Sequence, residues 1–297
     1  MLFFQGWTLT LAGYYVARAV TGDDWNIPSA DWFPLFQIFL STALFMGWVF
    51  IRNQIEDIET DKKNQKLFLI SGNHIPLRHA IIEARWLLVL ALACAWWMGW
   101  IFFLLFTIAW ISGIFYNERP FRWKNRPILG IIVNVLGGQL FFIVGWLIRK
   151  PLEPALFLIT LPYILLSVAF YIYTTLFDVR GDEATGKITF SVRFGMRKAA
   201  VTGLLFLIAG LNVGFYVRDY FISIIILLSL PLCIYLTFKT TCENANKAVK
   251  VSLAVFSLGV CVSFPPYLLL MIVFFCFTKA YYKLRFNFNY PNFKAES

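Results

Sequence analysis

The apolar run Trp32–Ile51, WFPLFQIFLSTALFMGWVFI, leads by way of Arg52 into Asn53-Gln54-Ile55-Glu56-Asp57-Ile58-Glu59-Thr60-Asp61. About 20 uncharged, mostly apolar residues are what a helix needs to cross the hydrocarbon core of a bilayer. The acidic stretch therefore sits at the mouth of a membrane helix. A second pairing repeats the pattern: the apolar run Ala155–Phe177 is followed at once by Asp178-Val179-Arg180-Gly181-Asp182-Glu183. Asp and Glu together number 16 in 297 residues, and these two short stretches hold seven of them. Acids this scarce, concentrated at two helix ends, point to a site.

Composition supports the membrane reading. The chain is 60% hydrophobic and 14% charged, where a soluble domain carries roughly 25% charge. Its 32 Phe, 13 Tyr and 11 Trp suit lipid contact and interfacial belts, or the wall of a cavity that tolerates a cation. The net charge of +10 is spread over short loops between apolar runs, so it argues for membrane orientation and anionic lipid or substrate, not for nucleic acid. Cys94, Cys233, Cys242, Cys261 and Cys276 show no C-x-x-C spacing and four of them lie inside apolar runs, which argues against a zinc site or disulfide framework. His74 and His79, five apart in one loop, lack the spacing of a helical ligand pair and read as solvated. No cleavable signal is evident, and the first apolar run reads as a retained helix.

About nine spans can be drawn, near residues 3–20, 32–52, 80–98, 100–116, 128–148, 155–177, 199–217, 220–239 and 251–276. The expected fold is all-α: an integral membrane protein of about nine transmembrane helices bundled around a central cavity, with 1–297 as a single transmembrane domain. The loop from Thr21 to Asp31 is acidic. The loops after spans two, four, six and eight are basic, with Lys62, Lys63, Lys66 and Arg78, then Arg119, Arg122, Lys124 and Arg126, then Arg180, Lys187, Arg193, Arg197 and Lys198, then Lys247 and Lys250. Their common side is expected to be cytoplasmic, and both acidic stretches fall on it. Nine spans would send Lys279, Lys283, Arg285 and Lys294 to the other side, against the rule. Pro162, Pro231, Pro265 and Pro266 are expected to kink spans.

Residues four apart share a helix face, so Asn53, Asp57 and Asp61 form one stripe and Asp178 and Asp182 another, while Glu56 and Glu59 point elsewhere. Two such stripes facing across a cavity would hold hard divalent cations, with a diphosphate bridging them and nearby Lys and Arg balancing the charge. The plainer alternative is two solvated loop starts.

The residues also carry a resemblance. Asn53…Asp57…Asp61 resembles the N-(D)-x-x-D-x-x-x-D motif of the UbiA superfamily of intramembrane prenyltransferases. Asp178-x-x-Gly181-Asp182, with Gly186-Lys187-x-Thr189 and Val192…Gly195, resembles that family's second motif and its extension. Tyr116…Pro120…Lys124 is similar to the basic linker after its fourth helix, and Leu69-Ile70-Ser71-Gly72 to the stretch after its first motif. Gln54 stands where the first motif often has Asp. Thr174, Thr175 and Arg180 stand where many members have Lys, Asp and an acid, which reduces the charge available to a second metal.

The resemblance implies Mg²⁺-dependent transfer of a prenyl group from an isoprenyl diphosphate to a lipophilic or aromatic acceptor, with release of diphosphate. It assigns Asp57, Asp61, Asp178 and Asp182 as catalytic and, with Asn53, as metal ligands. Lys124 and Arg126, then Arg122, Lys187 and Arg193, are candidates for the diphosphate, against a role in lipid headgroup contact. Asn53, Tyr116, Asn134, Tyr171 and Tyr173 are candidates for the cation and acceptor cavity, and Gln139 is a further buried amide nearby. Two other readings stay open: a terpene synthase or cyclase on the same fold, and a secondary transporter, whose carboxylates would lie near the bilayer midplane. Acceptor, chain length and oligomeric state are not set by the sequence.

Overall fold

The structure is a computed structural model that describes residues 3–22, 27–63 and 69–290. Its ten long helices are α1 (Phe3–Thr21), α2 (Trp32–Glu56), α4 (Leu77–Met98), α5 (Trp100–Asn117), α6 (Pro127–Trp146), α7 (Ala155–Phe177), α10 (Met196–Tyr216), α11 (Tyr220–Phe238), α12 (Cys242–Ser263) and α13 (Pro265–Phe286). Three short helices, α3 (Ile58–Lys63), α8 (Val179–Ala184) and α9 (Phe190–Phe194), follow the two acidic helix ends, and there is no strand among the described residues. Lys66 and Lys294 lie outside those residues.

Nine helices among the described residues are long and apolar enough to cross a membrane, which meets the expected count with a different set. The first expected span, α1, is not one of them: it carries Thr8, Thr10 and Arg18 and packs inside the bundle, where Leu11, Tyr14 and Ala17 are fully buried. The last expected span is two helices, not one, because the chain reverses between Ser263 and Pro265. Pro265 and Pro266 therefore start a helix, where a missing N–H costs nothing, and do not kink one. Pro162 and Pro231 do lie inside α7 and α11.

The reversal resolves the conflict over the C-terminal charges. Phe264, just before α13, packs on Trp32 at the start of α2, with ring centroids 5.6 Å apart. Phe288, just after α13, meets His74 at 4.8 Å, in the loop after the first acidic stretch. So α13 recrosses the bundle and brings Lys283 and Arg285 to the end that holds the acids.

Two hydrophobic clusters hold the bundle together. One joins α1, α6, α7, α10, α11 and α12 around Phe142, Trp146, Tyr163 and Leu207; the other joins α2, α4, α5 and α6 around Phe45, Trp48, Phe106 and Phe141. Helices in lipid gain stability by close packing, which small residues permit. Gly13 and Gly145 supply it where α1 crosses α6: a Cβ on either would overlap a backbone carbonyl of the other helix. Helix α4 lies on α2 through Ala80, Ala84, Ala91 and Ala95, all buried. Helix α6, central to both clusters, carries the open face described below.

Candidate active site at the acidic end of the bundle

The first acidic stripe keeps its helical register through a change of helix. Helix α2 stops at Glu56 and Asp57 leaves helical geometry (φ −105°, ψ 13°). Even so, Asp57 N–H donates to Asn53 C=O at 2.9 Å and Asp61 N–H to Asp57 C=O at 2.8 Å. In the second stretch Asp182 N–H donates to Asp178 C=O at 2.9 Å, and Lys187 N–H folds back onto Asp182 C=O at 2.9 Å. Helices α3 and α8, which carry the second half of each stripe, pack against each other. Asp61 and Asp182 are both buried.

Two lysines from different loops converge on one carboxylate oxygen. Lys124 Nζ donates to Asp57 Oδ1 at 2.8 Å and Lys187 Nζ to the same oxygen at 2.7 Å. Lys124 is buried, 8% exposed, and also donates to Asn117 Oδ1 at 3.2 Å. Burial alone would raise the Asp57 carboxyl, but the two ammonium groups outweigh it and hold it below the usual carboxylate range. Burial also pulls the Lys124 ammonium below its usual value, against the opposing pull of Asp57. Asp57 is thus ionised at neutral pH and is the charge on which both motif regions and the 118–126 linker meet.

At the rim, Glu56 pairs with Arg52 at 3.4 Å and with Arg122 at 3.5 Å, and Arg52 reaches Glu118. This ring, partly exposed, ties the end of α2 to the linker. Arg122 is thereby occupied by Glu56 and lies at the edge of the site. Arg126 and Arg193 are exposed, with no ion pair among the described residues.

The tyrosines divide. Tyr116 and Tyr171 lie beside each other and within electrostatic reach of Asp182, Tyr116 of Asp57 as well. The Tyr171 hydroxyl packs against Gly130 on α6 so closely that a Cβ there would overlap it. Asn134 is one turn deeper on that same face and is exposed, and Gly137, the next residue on the face, has nothing within 4 Å of where a Cβ would be. Tyr173 does not join them, contrary to expectation. It is two residues from Tyr171, so it points to the other side of α7, where it is fully buried against Gly203 and beside Cys233. Gln139 is buried with neither amide atom hydrogen-bonded.

The donor set fits a hard divalent cation. It consists of carboxylate oxygens and the Asn53 Oδ1, which is buried and makes no hydrogen bond. Among the described residues no group of three or more His, Cys, Asp or Glu converges closely enough to hold a metal ion alone. Magnesium is usually held by one or two carboxylates together with substrate phosphates, which suits this spacing. Thr175 adds nothing to the set: its hydroxyl is hydrogen-bonded to Ser191 Oγ at 2.6 Å and ties α7 to α9. Arg180 is exposed.

Residues 7–253 match the UbiA prenyltransferase family. The chain belongs to that family. Helix α13 lies beyond the matched region. Relatives of this UbiA family member include the 2-acylphloroglucinol 4-prenyltransferase of Humulus lupulus, 29% identical over 67% of this chain and 52% of that protein, and the homogentisate phytyltransferase of Synechocystis, 28% identical over 69% of each. The chain spans about half the length of the two Humulus relatives it matches. In fold it resembles a UbiA homolog from Archaeoglobus fulgidus bound to GPP and Mg2+, with TM-score 0.68 and 23% identity over 89% of this chain and 98% of that one. A UbiA homolog from Aeropyrum pernix K1 superposes equally well, TM-score 0.68, at 15% identity over 88% of this chain and 96% of that one.

One contributor to the site was not singled out from the sequence. Asn117 is buried at the last turn of α5 and holds the Lys124 ammonium. Its place directly after Tyr116 and seven residues before Lys124 was the available signal.

Proposed function

We propose that this UbiA family member is an intramembrane prenyltransferase that moves a prenyl group from an isoprenyl diphosphate to an aromatic, lipophilic acceptor. The observation that carries this reading is the convergence of Lys124 and Lys187 on Asp57 Oδ1, which gathers the two acidic stretches and the basic linker at one end of the bundle. The relatives bear on the acceptor, since both are named for aromatic ones.

In this reading the donor's diphosphate lies against Lys124 and Lys187, held in place by Asp57 and Asn117. Their positive charge offsets the negative charge that builds on the diphosphate as the C–O bond breaks, and fixed charge in a site shielded from water is the larger part of such catalysis. Asp57, Asp61, Asp178, Asp182 and the Asn53 amide oxygen would hold magnesium, which supplies Lewis-acid neutralisation of phosphate oxygens. The allylic carbon then faces Tyr116 and Tyr171, whose rings offer a negative face to developing positive charge. The acceptor attacks that carbon as the diphosphate leaves, and loss of a proton restores its aromaticity. Arg122, Arg126 and Arg193, at the rim and beyond, meet lipid headgroups or guide the anionic donor. The basic loops support a cytoplasmic location for this end.

Purified protein with magnesium, a prenyl diphosphate and a panel of phenolic acceptors should release pyrophosphate and form prenylated product. Asp57→Asn and Asp178→Asn should each lose that release, and full activity in both would end the assignment. Product formed without any acceptor would favour the cyclase reading. A transporter is disfavoured by acids at helix ends and not near mid-span.

A further inference from the structure

The open face of α6 has a floor. Its residues Gly130, Asn134, Gly137 and Phe141 follow one another at helical spacing, and both ends of the face are interior. Gly130 meets the Tyr171 hydroxyl, and Phe141 packs edge-on to Phe45 and Phe106, with ring centroids 6.2 and 6.4 Å apart. Phe45 and Phe106 complete the triangle at 5.5 Å, and all three rings are buried. Between those ends Asn134 is exposed and Gly137 faces open space. A face closed at both ends and open in its middle lines an internal chamber.

Three helices set the floor at one depth independently. At about 1.5 Å rise per residue, Phe45 lies about 18 Å below Asp57, Phe106 about 15 Å below Tyr116, and Phe141 about 16 Å below Gly130. The reference residues all belong to the polar layer of the site. The three rings therefore close this open face of α6 about 16 Å below the diphosphate position.

We infer that Phe45, Phe106 and Phe141 set the length of prenyl chain this protein accepts, by closing the end of the slot that takes the tail. An extended chain advances roughly 1.2 Å per backbone bond, from 3.6 Å for the three bonds of a residue. An isoprene unit of four chain bonds then takes roughly 5 Å, and about three units fill the slot. The inference rests on the prenyl-donor reading above and deepens it.

The test separates the two. Binding of non-reacting prenyl thiodiphosphates of graded length is measured on the purified full chain by thermal stabilisation, alongside turnover of the matching diphosphates. The native protein should bind best at about three units and lose affinity for the next longer chain. Phe141→Ala should raise the ratio of affinity for the longer chain to that for the shorter by about tenfold or more, since a hydrophobic pocket discriminates at this scale even for one methylene. Phe106→Trp should shift the preference to a shorter chain. Phe141→Leu, which keeps more of the core, should move the ratio the same way as Phe141→Ala by a smaller amount. If the length preference is unmoved in all three variants while diphosphates still bind, the floor assignment is overturned. If the native protein binds no prenyl thiodiphosphate of any length, the donor reading fails and this inference falls with it.

Discussion

Replacing Lys187 with Met tests whether the two ammonium groups act on the substrate or only neutralise Asp57. Lys187 Nζ lies 2.7 Å from Asp57 Oδ1, and its side chain is 14% exposed. Its loss leaves Asp57 paired with Lys124 at 2.8 Å, so the carboxylate is not stranded. A hydrogen bond to a charged group is worth roughly 1.5–3 kcal/mol, which corresponds to a loss of about 10- to 150-fold in kcat/KM for the donor. A partner needed only for folding would instead lower the melting temperature and leave the kinetic constants alone. Steady-state pyrophosphate release at saturating magnesium, with donor concentration varied, gives KM and kcat separately. A donor contact made equally in ground and transition states raises KM; one that strengthens as the C–O bond breaks lowers kcat. Both constants within twofold of the native values would refute diphosphate contact by Lys187. The double variant with Asp57→Asn, read by donor binding because Asp57→Asn is expected to be inactive, sharpens the result: if Lys187 serves Asp57 alone, its removal weakens donor binding no further once Asp57 is neutral.

Three more outcomes follow from the geometry. The Asp57 carboxyl is held below its unfolded value, so its ion pairs stabilise the protein above about pH 4 and are lost as pH falls through the folded value; in metal-free protein, melting temperature should fall more steeply below pH 4 in the native chain than in Asp57→Asn, and parallel curves would contradict the pairing. Gly130→Ala should displace the Tyr171 hydroxyl and reduce turnover, whereas Gly130→Ala with Tyr171→Phe removes the clashing atom and should recover part of it; no recovery would mean that the added methyl acts elsewhere. Asp219 caps α11 by accepting from Ile222 N–H at 3.1 Å and from the Tyr163 hydroxyl at 2.8 Å, and burial raises its carboxyl; Asp219→Ala should cost about 1–2 kcal/mol in chemical denaturation and Asp219→Asn much less, since an amide caps as well without a buried charge.

The acidic stretches were legible because a helix has a fixed period. Spacing of four placed Asn53, Asp57 and Asp61 in line, and the local hydrogen bonds keep that line across the end of α2. The same period would have separated Tyr171 from Tyr173, since residues two apart point about 200° around a helix. The turn at Phe264 was illegible for another reason. The sequence is apolar on both sides of it, so hydropathy runs on without a break, and only Pro265-Pro266 marks the start of a new helix. Glu56 falls off the acidic stripe and does point elsewhere, yet its partners Arg52 and Arg122 come from positions four before it and sixty-six after it. Only the first of those spacings is helical. Asn117 was missed because its one signal, a place between Tyr116 and Lys124, is weak until the lysine it holds is seen in place.

The departures in the second acidic stretch and the position of Lys187 account for each other electrostatically. Where the resemblance leads one to expect acids, Thr175 is turned to Ser191 and Arg180 to the surface. That leaves Asp178 and Asp182 as the acids of the second stripe. Carboxylates gathered at one end of the bundle with no cation among them would repel one another. Here the backbone folds Lys187 onto Asp182 and carries its ammonium across to Asp57. The lysine thus links the second motif to the first by attraction, where additional acids would have needed a further cation to do so. A site assembled this way keeps its two halves together before any donor arrives. In the proposed reaction it would also present two ammonium groups, held by one carboxylate, to an incoming diphosphate.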